Sequence, residues 1–213
     1  MRTDVFVTML ATGAEPVVPA ATARRYALAL GWGAFGATLL MAVLLGVRAD
    51  LADAVRLPMF WIKLAFPACL AVAALFAATR LSRPGVSLGR VPVALAAPVI
   101  VLWLMAGTAL VGAAPDQRAA MIFGTTWYVC PFLVALLSVP VFVASMWAMK
   151  GLAPTRLVLA GAAAGLLSGA VATVVYALHC PEMAAPFLAI WYLLGMLIPA
   201  AAGALLGPWL LRW

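Results

Sequence analysis

Six apolar stretches of about twenty residues each divide the chain and decide what it can fold into. A hydrocarbon core of ~30 Å takes roughly 20 helical residues to cross, and within it every backbone N–H and C=O must be bonded internally. The stretches run from Tyr26 to Val47, about Phe60 to Thr79, Val91 to about Val111, about Tyr128 to just before Lys150, Leu157 to about Leu178, and about Ala184 to Leu211. With 68% of residues hydrophobic and 9% charged, a water-soluble globular domain is excluded. The expectation is an all-α integral membrane protein, a bundle of six transmembrane helices in a bilayer.

The charges order the spans. Nine of the 13 basic residues flank the side of the N-terminus: Arg2, Arg24, Arg25, Arg80, Arg83, Arg90, Lys150, Arg156 and Arg212. Four, Arg48, Arg56, Lys63 and Arg118, fall on the other side, with Lys63 at the mouth of the second span. By the positive-inside rule both termini are expected in the cytoplasm. Because the basic residues flank apolar runs instead of forming one patch, the net charge of +7 gives no reason to expect direct contact with nucleic acid. The leader carries Asp4, Glu15, Pro16 and Pro19 where a signal peptide would have a basic start and a short apolar core, so the first span is expected to be retained.

Two units follow. Residues 26–213 form the six-helix domain. Residues 1–25 form a cytoplasmic segment too short for a core of its own. Within it, Thr3 or Asp4 can cap a helix that Gly13 ends, and Val5, Phe6, Met9 and Leu10 fall on one face. So short a helix is marginal in water and should fold only against something. It lacks the basic face of surface-bound membrane helices, and its apolar anchors fit a protein groove better. Residues 11–20, rich in Ala and Pro, would tether it to the first span. In the last two spans Gly161, Gly165 and Gly169, and Gly203 and Gly207, repeat every four residues, the spacing at which small residues let helix backbones approach closely. Packing within the chain is the expected use; whether two copies pair is left open.

The chemistry lies in two cysteines. Cys130, in Tyr128-Val129-Cys130-Pro131, and Cys180, in His179-Cys180-Pro181-Glu182, sit at span ends expected on the same outer face. In an oxidising compartment they could form a structural disulfide, or act reversibly as a redox or metal sensor. His179 and Glu182 would then be auxiliary ligands or tuning groups, since thiolate, imidazole and carboxylate together suit zinc, cadmium and similar ions. Catalytic thiol exchange is disfavoured because no Cys-x-x-Cys pair is present. Cys69, inside the second span, reads as a small packing residue. The spans other than the second hold no ionisable residue between their ends, which argues against a pump or proton-coupled transporter. No catalytic constellation, constitutive metal site or cofactor is expected.

Together these features resemble the NrsF-type negative regulators, membrane anti-sigma factors of bacterial extracytoplasmic-function (ECF) sigma factors. The resemblance covers nearly the whole chain. It rests on Met1-Arg2-Thr3-Asp4, Leu10-Ala11-Thr12, Arg24-Arg25, the six spans and Cys130-Pro131. Its most specific part is Ala177-Leu178-His179-Cys180-Pro181-Glu182, followed by Phe187, Trp191-Tyr192, Gly195 and Leu210-Leu211-Arg212-Trp213. The resemblance implies a protein of the inner membrane that sequesters an ECF sigma factor through Asp4, Val5, Phe6, Met9 and Leu10. It implies release when Cys130 and Cys180 sense heavy-metal or oxidative stress, with only transient binding of a soft metal. The competing readings are a small-molecule or ion transporter with an outer thiol site, and a membrane thiol oxidoreductase.

Overall fold

The computed structural model of the chain describes residues 3–12 and 21–212, and all of its regular structure is helical. A short helix α1 (Thr3–Thr12) precedes the long α2 (Ala21–Leu44) and a single turn α3 (Leu51–Ala54). Then follow α4 (Pro58–Leu81), α5 (Val91–Gly112), the short α6 (Pro115–Phe123), α7 (Cys130–Lys150) and α8 (Leu157–Tyr176). The last span is built from α9 (Ala185–Phe187), a π-helical turn (Leu188–Tyr192) and α10 (Leu193–Leu210). Among the described residues six helices are long and apolar enough to cross a membrane: α2, α4, α5, α7, α8 and the composite α9–α10 rod. Of the tether expected over residues 11–20, Ala11 and Thr12 belong to α1, and the remainder with the Gly13 stop signal lies outside the described residues, as do Met1, Arg2 and Trp213.

Prolines set many of the starts. Pro58, Pro92, Pro115, Pro131 and Pro186 each stand in the first turn of a helix, where a missing N–H costs nothing and a fixed φ favours helix entry. Pro131 thereby places the start of the fourth span at Cys130, two residues beyond the Tyr128 expected from hydropathy, and leaves Trp127 and Tyr128 in the turn before it. The fifth span closes at Tyr176 instead of Leu178, because residues 177–179 turn tightly onto the carbonyls of Thr173, Val175 and Tyr176.

α8 is the centre of the bundle. Two-thirds (67%) of its most apolar stretch is buried, against 11% for α5, which lies at the periphery. Its glycines explain the close packing. A Cβ at Gly161 would collide with the carbonyl of Gly203, one at Gly165 with that of Pro199, and one at Gly207 with that of Leu157. The backbones of α8 and α10 therefore meet directly, through the small-residue faces of this one chain. On the other flank α2 presses Gly33 to the backbone of Val141 on α7, where a Cβ would sit 2.8 Å from the Val141 Cα.

The outward faces carry Trp32, Val43, Trp103, Leu104, Val111, Leu205 and Trp209, all more than half exposed, as a lipid environment allows and water does not. Cys69 corrects its expected place in the packing. It is exposed on the apolar surface and lines a groove between α4 and α5 with Phe66, Pro98 and Met105, because the α4 helix turns it away from α8. At the end of the bundle nearest both termini, the Tyr26 hydroxyl bonds Ser82 Oγ at 2.8 Å, and the Arg25 guanidinium lies 4.8 Å over the Trp147 ring. α1 has no buried residue: Val5, Phe6, Met9 and Leu10 are 45–59% exposed.

Candidate functional site

Cys130 opens α7 and Cys180 follows the last turn after α8, so two span ends carry the thiols to one end of the bundle. Both are free, wholly buried and part of the same apolar cluster. Tyr176, four residues before Cys180, is buried in the same cluster, its ring centre 5.7 Å from that of His179 and 6.0 Å from that of Tyr192. Tyr192, from the π-helical turn, is fully buried beside Cys180, and its hydroxyl has no partner of good geometry. A buried hydroxyl without a partner costs about 1–3 kcal/mol.

After α8 ends at Tyr176 and the chain turns through residues 177–179, residues 180–184 belong to no helix, and Pro181 lacks the N–H that a helical ladder would need. The carbonyls of this stretch must find acceptor roles elsewhere. Leu178 O takes the N–H of Arg48 at 3.1 Å. Cys180 O accepts from the Arg48 guanidinium at 3.3 Å and from Lys63 Nζ at 2.5 Å, and Glu182 O accepts from the same Lys63 Nζ at 2.8 Å. The Lys63 ammonium also lies 5.8 Å from the centre of the Tyr192 ring. Lys63 stands in the second turn of α4, near the mouth of the second span, yet it is not turned to headgroups. It is 0% exposed and points inward, because two carbonyls of the unwound segment hold it.

The auxiliary residues are held individually. His179 Nδ1 lies 2.9 Å from Gly46 O in the strap after the first span. The Glu182 carboxylate accepts the N–H and the hydroxyl of Thr125, in the loop before α7. Gly124, at φ +52°, lets that loop backbone sit against Glu182 with no side chain in the way. Arg48 is anchored by Asp50, which accepts from both Nε and an Nη at 2.7 Å. The hydrogen bonds from Arg48 hold the Asp50 carboxyl below the usual carboxylate range, and the same pair raises the Arg48 guanidinium above its own. Among the described residues no group of three or more His, Cys, Asp and Glu converges as a metal nest. The two thiols are the soft donors that the fold brings together.

Sequence reasoning missed Lys63, Arg48, Tyr176, Tyr192 and Thr125 as parts of this site. One signal was available. Lys63 is a lone cation within an apolar run, and an ionisable residue inside a span ordinarily marks function. The others are common interfacial residue types that only the three-dimensional arrangement distinguishes.

The comparisons with known proteins agree with the architecture. The family model described as "NrsF: Negative regulator of sigma F" matches residues 10–213. A probable anti-sigma-F factor NrsF of Azospira oryzae is 59% identical over 213 residues, with all of both chains covered. The anti-sigma-F factor NrsF of Caulobacter vibrioides is 42% identical over 219 residues, again with both chains covered in full. No solved structure matches the chain. Six membrane-length helices, the paired thiols and similarity along the entire chain lead to one conclusion: the chain belongs to the NrsF family of negative regulators of sigma F.

Proposed function

We propose that this protein is a membrane-bound anti-sigma factor of the bacterial inner membrane. It sequesters an ECF-type sigma factor through a cytoplasmic N-terminal segment and releases it when Cys130 and Cys180 react at the outer face. The names of the two relatives support a sigma factor as the partner. The observation that carries the reading is the division of the molecule. Two free, buried thiols share one apolar cluster with Tyr176 and Tyr192, while an apolar helix face of Val5, Phe6, Met9 and Leu10 stands unburied in the leader that precedes the first span. Helices of this length gain stability by laying such a face into a groove on a partner.

The trigger has two chemical forms. An oxidant of the chromate or peroxide class accepts two electrons, the thiols lose two protons, and an Sγ–Sγ bond joins Cys130 to Cys180. Alternatively, a soft divalent ion of the cadmium class binds both sulfurs as thiolates and displaces the same two protons. Either outcome changes how α7 sits against α8 and the last span. A tenfold change in affinity for the partner needs only ~1.4 kcal/mol of difference between the two states. No catalytic turnover or resident cofactor belongs to this reading.

The test is affinity capture of the tagged protein from its own membranes, with and without residues 1–12. A sigma factor recovered only with the intact leader supports the proposal, and its absence from both samples would overturn it.

A further inference from the structure

The segment from Leu178 to Glu182 carries Cys180, yet it belongs to no helix and is held almost wholly by residues from elsewhere. Arg48 and Gly46 grip it from the strap after α2, Thr125 from the loop before α7, and Lys63 from within α4. Lys63 is the unusual member. It is completely buried in an apolar helix, and its two acceptors are the carbonyls on either side of Pro181. The one ion pair among the described residues joins Arg48 to Asp50, so Lys63 has no carboxylate at ion-pair distance and its direct partners are two carbonyls and the Tyr192 ring face. A cation kept in so costly a place without a carboxylate partner points to a role beyond packing.

We propose that Lys63 is the positioning residue of the thiol pair. From α4 it fixes the Cys180 backbone so that the thiol meets Tyr176 and Cys130. Together with Arg48, it makes the outer ends of the first two spans the route by which a change at Cys180 leaves the site. The geometry of that route is continuous. The strap that binds Leu178, His179 and Cys180 is the direct continuation of α2. At its far end α2 is tied to α4 by Tyr26 and Ser82, and the leader precedes it in the chain. A shift of the Cys180 backbone therefore pulls on the helix that carries the leader, as well as on α7. The coupling half of this inference rests on the proposed function; the positioning half does not.

The experiment uses the full chain in membranes, with Cys69→Ser so that only Cys130 and Cys180 react. The wild-type residue at 63 is compared with Lys63→Met and Lys63→Arg. Alkylation of each cysteine by N-ethylmaleimide is followed by peptide mass spectrometry, and the yield of the Cys130–Cys180 disulfide is measured after a copper–phenanthroline pulse. The Met side chain fills the space but donates nothing. Cys180 should alkylate about tenfold faster, the order expected when a charge-assisted hydrogen bond is removed from a segment that must open before it reacts. The disulfide yield should fall severalfold. Lys63→Arg restores both because a guanidinium can reach the same two carbonyls, a rescue that loss of packing would not show.

Wild-type alkylation rates and disulfide yield in Lys63→Met would overturn the proposal. So would a well-folded Lys63→Arg chain that behaves like Lys63→Met. Should Lys63→Met fail to fold, Arg48→Gln, which removes a donor from the same carbonyl at the bundle surface, supplies the reading. It should speed Cys180 alkylation severalfold, and an unchanged rate would count against the inference. The partner is absent from these assays, so they stand or fall apart from the anti-sigma reading. The route is tested separately, by asking whether Arg48→Gln blunts cadmium-induced release of the captured sigma factor. Release equal to wild type would overturn the route, whereas no release from the wild-type chain would instead count against the proposed function.

Discussion

Glu182 accepts both the backbone N–H and the hydroxyl of Thr125, at 2.7 and 2.8 Å. These bonds join the segment just after Cys180 to the loop just before Cys130, so the two cysteine-bearing segments are fastened to each other through side chains that neither cysteine contributes. Charge-assisted bonds of this kind stabilise by about 1.5–3 kcal/mol when sheltered, and less at an exposed rim such as this one. Glu182→Ala should raise hydrogen exchange at residues 124–130 and lower the yield of the Cys130–Cys180 disulfide, while leaving the melting temperature of the bundle nearly unchanged. Unaltered exchange in that loop would show that the clasp is incidental.

The thiols themselves give the plainest outcome. Cys130→Ser and Cys180→Ser are close in size to the native residues, and each should hold the sigma factor at rest while losing release by cadmium or chromate. Capture with and without the stress reports both properties in one assay. Release that persists in the double variant would show that the signal enters elsewhere.

The leader should act independently of the bundle, because no residue of α1 is buried. Phe6→Ala and Leu10→Ala are each expected to weaken partner capture by about tenfold, or ~1.4 kcal/mol, as apolar anchors of a docked helix do. Their melting curves in detergent should overlay the wild type. A stability loss of the same size would mean that these side chains pack on the bundle instead.

Glycine replacements separate close contact from mere composition. A side chain at Gly165 would meet the Pro199 carbonyl, so Gly165→Leu should cost about 2–3 kcal/mol or prevent assembly of α8 with α10. Gly31, on α2, has no atom within 4 Å of a built Cβ, and Gly31→Ala should be neutral or stabilising by up to about 1 kcal/mol. Thermal unfolding in a mild detergent measures both.

The strap after the first span should be sensitive to acid. Arg48 holds the Asp50 carboxyl below its usual range. A carboxyl whose folded pKa is depressed contributes stability above its unfolded value, near 4, and that contribution is lost as pH falls through the folded value. Hydrogen exchange of residues 46–50, corrected for its intrinsic pH dependence, should therefore be level above the unfolded carboxyl range and rise only as pH falls below it. In Asp50→Asn that step should vanish. Because Asp50 is exposed, the effect is confined to the strap and its hold on Cys180.

The spans were legible because length and apolarity are enough to define a helix in lipid, where backbone groups have no alternative partner. The leader helix was legible from the spacing of Val5, Phe6, Met9 and Leu10, and Thr3–Thr12 is helical. That Cys130 and Cys180 share one buried cluster agrees with the span ends counted from the sequence. The place of Lys63 was not legible, since a charge near a span end reads as a headgroup contact until the carbonyls freed around Pro181 are seen opposite it. Nor was the outward turn of Cys69, because an apolar helix with lipid on one side has no amphipathic pattern to tell its faces apart. The π-helical turn left no mark that hydropathy could detect.

That turn explains how one rod serves two neighbours. It inserts one more residue than a regular α-helix holds, and without it everything beyond Tyr192 would rotate by about 100° relative to Phe187. Tyr192 could then keep its place beside Cys180 only if Gly203 and Gly207 swung away from α8, or the glycines could keep theirs only by withdrawing the tyrosine. The surplus residue reconciles two surfaces that a regular helix would set out of phase, so deleting any one residue from Leu188 to Ile190 is equivalent to choosing between the seat of Tyr192 and the seam with α8.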